Sequence, residues 1–419
     1  MKYRPLGDFV KLSQGLAINS GTKHFVSEKK DEEFIYPLLR IADMMENTFT
    51  KYISKNVNPT VIANEDDIIY TRTGQIGLAF RGYKGVVHNN SFIVSLISDQ
   101  LDKDYLFALL QSSFVREQAL KLAKNSVQPD LTHDMFKSIM IPMPTMSVQK
   151  KIAKMYSDIS DKIENNNKIN AALESMAKTI YDYWFLQFEF PNEDGKPYKS
   201  SGGKMVWNEE LKREIPEGWE VSQLKDKYSI ERGLSYTSKD IESGVGVPMI
   251  NLACIDINRN YRDGELKYHN GNVPDSAKLN SEDLLVACTD LTRNADIVGS
   301  PILTPNDDKT YTYSMDIAKL VPDERYFNKF YLYMALRTDF YHNYIKKWAS
   351  GTNVLHLNLE GISWYNTWIP PMGIQNKFAP IVEDIHKKKC EILLENQELA
   401  SLRDFLLPML MNGQVKVSA

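Results

Sequence analysis

VQKKIAKMYSDISDKIENNNKINAALESMAKTIYDYWFLQF, residues 148–188, decides how this chain is built. Counting from Ile152 in alternating steps of four and three lands on Tyr156, Ile159, Ile163, Asn166, Asn170, Leu173, Ala177, Ile180 and Trp184. That is a coiled-coil heptad sustained for roughly 40 residues, or about 60 Å of helix. Its interior exceptions are both asparagines.

The pattern returns 226 positions later, as Phe378, Val382, Ile385, Lys389, Ile392, Asn396, Leu399, Arg403, Leu406 and Leu410. Gln149 and Gln375, Ala153 and Ala379, Asp158 and Asp384, Ile159 and Ile385, Asn170 and Asn396, Leu173 and Leu399, and Ser175 and Ser401 are identical pairs at this offset. Each copy follows a proline-bearing entry, Ile141-Pro142-Met143-Pro144 or Ile369-Pro370-Pro371-Met372, because proline is accepted at a helix start and not inside. Two long helices with one apolar seam each most simply bury those seams against each other. Lys389 and Arg403 put charge on the second seam, where an acidic residue of the first helix or a partner protein would complete the surface.

Around the helices lie two globular segments. Residues 1–147 read as mixed α/β, with strands at Pro37–Ile41 and Asp67–Tyr70 and one helix from Lys103 to about Lys124. Residues 191–218 form a polar, glycine-bearing connector containing Lys199-Ser200-Ser201-Gly202-Gly203-Lys204 and Ile215-Pro216-Glu217-Gly218-Trp219. Residues 219–368 repeat the first segment's plan. Leu6-Gly7-Asp8 through Gly15-Leu16 matches Leu224-Lys225-Asp226 through Gly233-Leu234, Pro37–Ala42 matches Pro248–Ala253, and Asp67-Ile68-Ile69 matches Asp283-Leu284-Leu285. A closing loop, 125–131, matches 353–359. The fold class is α/β (α+β): two globular domains, 1–147 and 219–368, alternating with helical regions 148–190 and 369–419 that pair as an antiparallel coiled coil in a pseudo-twofold repeat.

Composition excludes several classes. At 419 residues, two or more domains are expected; 43% hydrophobic and 25% charged content are those of a soluble globular protein. No apolar run long enough to span a membrane and no leader-like N-terminus are apparent, so a cytoplasmic protein is expected. Cys254, Cys288 and Cys390 are isolated, which supports neither disulfides nor zinc. Asp194-Gly195-Lys196 is a poor nuclease motif, Gly244-Val245-Gly246 lacks a P-loop lysine, and Ile369-Pro370-Pro371-Met372 lacks the polar first residue of an amino-methyltransferase motif. The chain reads as non-catalytic and metal-free. Lysine and arginine against aspartate and glutamate number 17 to 16 in residues 1–147 and 16 to 20 in residues 219–368, so any nucleic-acid contact must use a local patch.

The repeated long helices, the Trp184-Phe185 helix end, the Ser-Ser-Gly-Gly-Lys connector and Ile215-Pro216-Glu217-Gly218-Trp219 resemble the specificity subunit of a type I restriction-modification system, over essentially the whole chain. The resemblance implies that each globular segment is a target-recognition domain for one half of a bipartite, asymmetric DNA site. It implies that the helix pair sets the spacer and docks two methyltransferase (modification) subunits, with two restriction subunits completing the complex. S-adenosylmethionine would then sit on the modification subunit, and ATP and magnesium on the restriction subunit, with no cofactor on this chain. A scaffold that joins proteins without reading DNA is the alternative.

Base readout needs polar side chains presented from loops. In the first domain the candidates are Gln14, Asn19, Lys23, Arg72, Thr73, Gln75, Arg81, His88, Asn89, Lys124, Asn125 and Gln128. In the second they are Arg232, Tyr236, Thr237, Lys239, Thr289, Asp290, Thr292, Arg293, Asn294, Tyr311, Tyr313, Thr352, Asn353 and His356. Each could instead be a solvated or turn-capping residue. Arg72-Thr73-Gly74-Gln75 and Thr292-Arg293-Asn294 follow matched strands. Lys346-Lys347-Trp348 reads either as a phosphate contact or as a solvated helix end. Asn170 and Asn396 either meet and fix helix register or are solvated separately.

Overall fold

The computed structural model describes residues 2–124, 129–262, 266–292 and 294–411. It is a mixed α/β chain of two compact units, one made of Met1–Asn165 with Asn396–Ala419 and the other of Asn166–Glu395. The division falls within both long helices, so each unit contains a globular segment and a part of each helix.

In the first unit an antiparallel sheet runs in the order Val10–Gln14, Ser91–Leu96, Ile68–Thr71, Ala79–Phe80. Its central strands are apolar at consecutive positions because both faces are covered. Ile68, Tyr70, Phe92 and Val94 pack with Leu106, Leu109, Phe136 and Ile152, whereas Ile69 and Ile93 pack with Leu39 and Val87 of a second sheet. The second sheet contains a parallel pair, Leu38 opposite Val86. The other unit repeats the plan in the order Tyr228–Arg232, Ile317–Pro322, Leu284–Ala287, Pro301–Leu303. There Leu284, Val286 and Leu320 face the helical core, and Leu285, Ala287 and Ile317 face the smaller sheet, whose parallel pair is Met249 with Thr312.

The long helices are Met146–Tyr181, continued by a widened turn at Asp182–Leu186, and Met372–Met411. Their starts are 226 residues apart, as the proline entries require. Gln149 and Gln375 show why both residues stand at that offset. The Asp102 N–H donates to Gln149 Oε1 (2.8 Å), and Gln149 Nε2 donates to the carbonyls of Gln100 and Pro144 (both 3.0 Å). In the second unit the Asn328 N–H donates to Gln375 Oε1 (2.9 Å), and Gln375 Nε2 donates to the carbonyls of Tyr326 (2.9 Å) and Pro370 (2.7 Å). Asp102 and Asn328 are themselves helix N-caps. Tyr105 and Tyr331 repeat in the same way, donating to the carbonyls of Pro142 and Trp368 at 3.1 Å each.

Within the second unit the helices contact each other through Asn166 and Glu395 (2.8 Å), Glu174 and Lys389, and Tyr181 and Trp184 with Phe378. Numbers fall on one helix as they rise on the other, so these stretches run antiparallel. Within the first unit, Arg403 lies 5.6 Å from the Tyr156 ring centroid and Leu406 packs beside the core around Ile152. Lys389 thus meets an acidic residue of the first helix. Asn166, 1% exposed, is the buried polar member of the seam. Asn170 lies half-buried in the second unit, and Asn396 belongs to the first.

One expectation changes. The helix read over 103–124 is two helices, Lys103–Gln111 and Ser113–Ala123, because Ser112 is extended and its hydroxyl accepts from the Val115 N–H (3.3 Å). The connector at 191–218 has structure of its own. Met205–Asn208 pairs with Arg213–Pro216, Phe190 stacks on Tyr198 and Trp219, and Arg213 covers Phe188 and donates to the Leu186 carbonyl (2.9 Å).

Candidate nucleic-acid interface

In the first unit, antiparallel pairing brings three chain segments to one end of the main sheet. Gln14 ends one strand, Arg72 follows another, and His88-Asn89-Asn90 leads into the strand between them. Gln14 Nε2 donates to the Asn89 carbonyl (2.8 Å), the Arg72 N–H donates to the Asn90 carbonyl (2.8 Å), and the Leu131 N–H donates to the Arg72 carbonyl (3.0 Å). Thr73 bridges Asp130, and the Arg72 guanidinium pairs with the Asp130 carboxylate. Gly15 makes the crossing possible, since a Cβ there would lie 2.3 Å from the His88 carbonyl oxygen. Burial, reinforced by Arg40, holds the His88 imidazole below its ordinary pKa, so it acts as a neutral donor and acceptor. Gln75 is exposed beside this end, on a turn through Gly74 at φ +74°.

The second unit builds the same end from different side chains. Arg232 stands where Gln14 does, and Cys288-Thr289 follow their strand as Arg72-Thr73 do. The Cys288 N–H donates to the Asp316 carbonyl (2.7 Å), the Leu357 N–H donates to the Cys288 carbonyl (2.8 Å), and Thr289 pairs with His356 where Thr73 pairs with Asp130. Gly233 repeats Gly15, 2.3 Å from the Ser314 carbonyl oxygen by the same measure. Positions 14, 72, 73, 88, 89 and 130 therefore correspond to 232, 288, 289, 314, 315 and 356. Gln, Arg, Thr, His, Asn and Asp become Arg, Cys, Thr, Ser, Met and His. Asp130, Cys288, Ser314 and Met315 were not among the sequence candidates. The 226-residue offset already carried by the helices would have found Ser314 and Met315 from His88 and Asn89.

The remaining candidates divide by burial. Lys23, Lys124, Lys239, Asn294, Thr352, Asn353 and His356 are exposed. Asn19 orders its own turn, accepting from the Gly21 N–H (2.9 Å). Thr237 donates its N–H and hydroxyl to Asp240 (2.7 and 2.8 Å), and Tyr236 accepts from Lys267 Nζ (2.7 Å). Arg81 is set apart from Arg72, following the neighbouring antiparallel strand Ala79–Phe80 at the opposite end of the sheet, bound to Asp104 and Asp66. Asn125, Gln128 and Arg293 lie outside the described residues.

Five of the candidates are buried or engaged within the protein. Asp290 is fully buried and accepts from the N–H groups of Thr292 (2.6 Å), Ile297 (2.7 Å) and Val298 (2.9 Å), which makes it the organiser of its loop. Tyr311 and Tyr313 are core residues, 1% and 0% exposed, the former donating its hydroxyl to Asp307 (2.8 Å). Thr289 is 5% exposed, and in the pair it forms with His356 the histidine is the exposed member. Thr292 turns inward in part, accepting from the Asp296 N–H (2.9 Å).

Among the described residues there is no group of side chains that could hold a metal ion, and no helix is long and apolar enough to cross a membrane. One backbone frame, built twice with largely different side chains, makes the chain an internal duplication. The model for the type I restriction modification DNA specificity domain matches residues 1–175 and 216–403, and the chain belongs to that family. Among its relatives are two specificity subunits of type I restriction enzymes from Methanocaldococcus jannaschii. MjaIX is 28% identical over 365 residues, spanning 84% of this chain and 78% of that protein; MjaVIII is 24% identical over 423 residues, spanning 98% and 92%. The fold is that of the S subunit of a type I restriction-modification system from M. genitalium, at a TM-score of 0.56 and 14% identity over 100% of this chain and 96% of that one.

Proposed function

We propose that this chain is the non-catalytic, DNA-reading subunit of a type I restriction-modification complex, each sheet-end frame reading one half of a bipartite, asymmetric site. The observation that carries this reading is the frame itself: six equivalent backbone positions, held by matching hydrogen bonds, five of them bearing different side chains. A scaffold has no need to vary those positions while keeping their support. The helices act as an antiparallel coiled-coil spacer, and their repeated sequence offers like surfaces to two modification subunits. Restriction subunits join where cleavage accompanies modification. S-adenosylmethionine belongs to the modification subunit, ATP and magnesium to the restriction subunit.

The test is co-expression with the modification subunit and genome-wide mapping of methylated adenine. A single split motif is expected, with only one half altered when the first globular segment is exchanged. A complex that assembles and methylates without sequence preference would instead make the chain a scaffold.

A further inference from the structure

We propose that Arg72, braced by Asp130, reads a guanine in the half-site of the first unit; this rests on the recognition role proposed above. The sheet fixes both residues, since Arg72 is bonded through its own N–H and carbonyl to Asn90 and Leu131, and Thr73 bridges Asp130. The side chains keep 21% and 35% of their accessible surface, so the pair is anchored yet reachable. Its hydrogen-bonding capacity is not used up within the protein. Arg72 Nη2 meets one carboxylate oxygen, and Arg72 Nε and Asp130 Oδ1 are buried without a partner among the described residues, which leaves the two η nitrogens as the donors a base can reach.

The charges of the pair cancel, which decides between phosphate and base. A phosphate contact draws its strength from an uncompensated cation and from counterion release. Arg72 beside Asp130 has little of that to offer, and the carboxylate repels phosphate. What remains is a planar fork of directed donors, which fits the N7 and O6 acceptors that guanine alone presents together in the major groove. The corresponding pair in the second unit, Cys288 and His356, has no arginine fork. Cys288 is buried, and burial pushes its thiol up to about 11. A guanine reader at this frame position therefore belongs to one half-site only.

The experiment compares the full chain with Arg72→Gln and Arg72→Lys, each co-expressed with the modification subunit. Adenine methylation is mapped, and DNA affinity is measured across a salt series. In both variants one guanine of one half-motif should become degenerate, with discrimination there falling roughly ten- to a hundredfold. The other half and the salt slope should not change. An unaltered motif overturns the assignment. So does a uniform loss of affinity with a salt slope smaller by about 1, which would mark a phosphate contact. If both variants fail to assemble, the pair is a structural clasp and the assignment is likewise overturned. A wild-type complex with no motif would overturn the parent reading, and this assignment with it, a failure distinct from these.

Discussion

Glu174 shows how one residue resolves an irregularity in the heptad. Its carboxylate lies between Arg337 Nη2 (2.6 Å) and Lys389, with side-chain exposures of 19%, 12% and 18% respectively. Burial alone would raise the Glu174 carboxyl, but the two cations outweigh it and hold the group below its ordinary 4.5. A carboxylate depressed in the folded state stabilises fully above its unfolded pKa, and the contribution fades as pH falls through the folded value. Glu174→Gln should therefore cost about 2–4 kcal/mol in the second unit at neutral pH, leaving two cations short of a partner. Denaturant melts below about pH 4.5 should show the difference from wild type shrinking; a gap that widens on acidification would contradict the pairing. Asp290 makes the complementary case. Asp290→Ala strips an acceptor from three N–H groups, so a loss of about 2–4 kcal/mol is expected before any DNA is added. Melting of the isolated variant separates that loss from a recognition defect. An aspartate in a loop reads the same whether it faces solvent or caps its own turn. Its burial depends on Thr289-Asp290 pairing with the segment around Leu355 and His356, some 65 residues away, which local pattern does not reveal.

At the scale of elements, the two glutamine latches give the sharpest expectation. Gln149→Ala and Gln375→Ala each take the acceptor from one backbone N–H and the donor from two backbone carbonyls at the junction of a long helix with its globular segment. Each should cost about 2–3 kcal/mol, the first in the first unit and the second in the other. Hydrogen exchange would localise them, with the Asp102 amide losing protection in one variant and the Asn328 amide in the other. Because the sites share no partner, the double variant should be additive within about 0.5 kcal/mol. The long helices, their starts and their repetition were legible in sequence because periodicity over many turns is a strong signal. The break at Ser112 was not, because the apolar face of Tyr105, Leu106 and Leu109 continues through Val115 and Ala119 and leaves the period intact. The seam shows a similar limit. Burial along the seam is uneven: Ile152, Tyr156, Asn166 and Ala177 on the first helix and Phe378, Val382, Ile385 and Ile392 on the second are buried, whereas Ile159, Ile163 and Leu173 are only half-buried. A heptad marks where a partner helix can lie but says nothing of the second surface that completes a core.

For the whole molecule, the twofold repeat was readable because its framework residues have to satisfy the same backbone geometry twice, as Gly15 and Gly233 do. How the connector folds was not legible, because polarity and glycine content describe its turns and not Phe190, Tyr198, Ile215 and Trp219, which pack together in the core at the end of the first long helix. The repeat also exposes an asymmetry in the helix pair. The counterparts of Glu174 and Lys389 at the 226-residue offset are Ala400 and Ile163, and those of Asn166 and Glu395 are Ile392 and Ile169. Polar pairing therefore specifies register in the second unit, and any change of helix length has to keep those contacts. If the helix pair sets the spacer, one heptad added to each helix at facing points, after Asn167 and after Leu393, preserves the seam on both sides of the insertion. Each helix grows by about 10.5 Å. With base pairs stacked about 3.4 Å apart, the spacer in the methylated motif should lengthen by roughly three base pairs. Both half-sites should stay as they were, because neither sheet-end frame is touched. A heptad added to one helix alone shifts Asn166 from Glu395 and leaves seam residues unmatched, so that variant should unfold at lower denaturant and methylate poorly. A double insertion that folds, assembles and still methylates at the original spacing would show that something other than helix length measures the DNA.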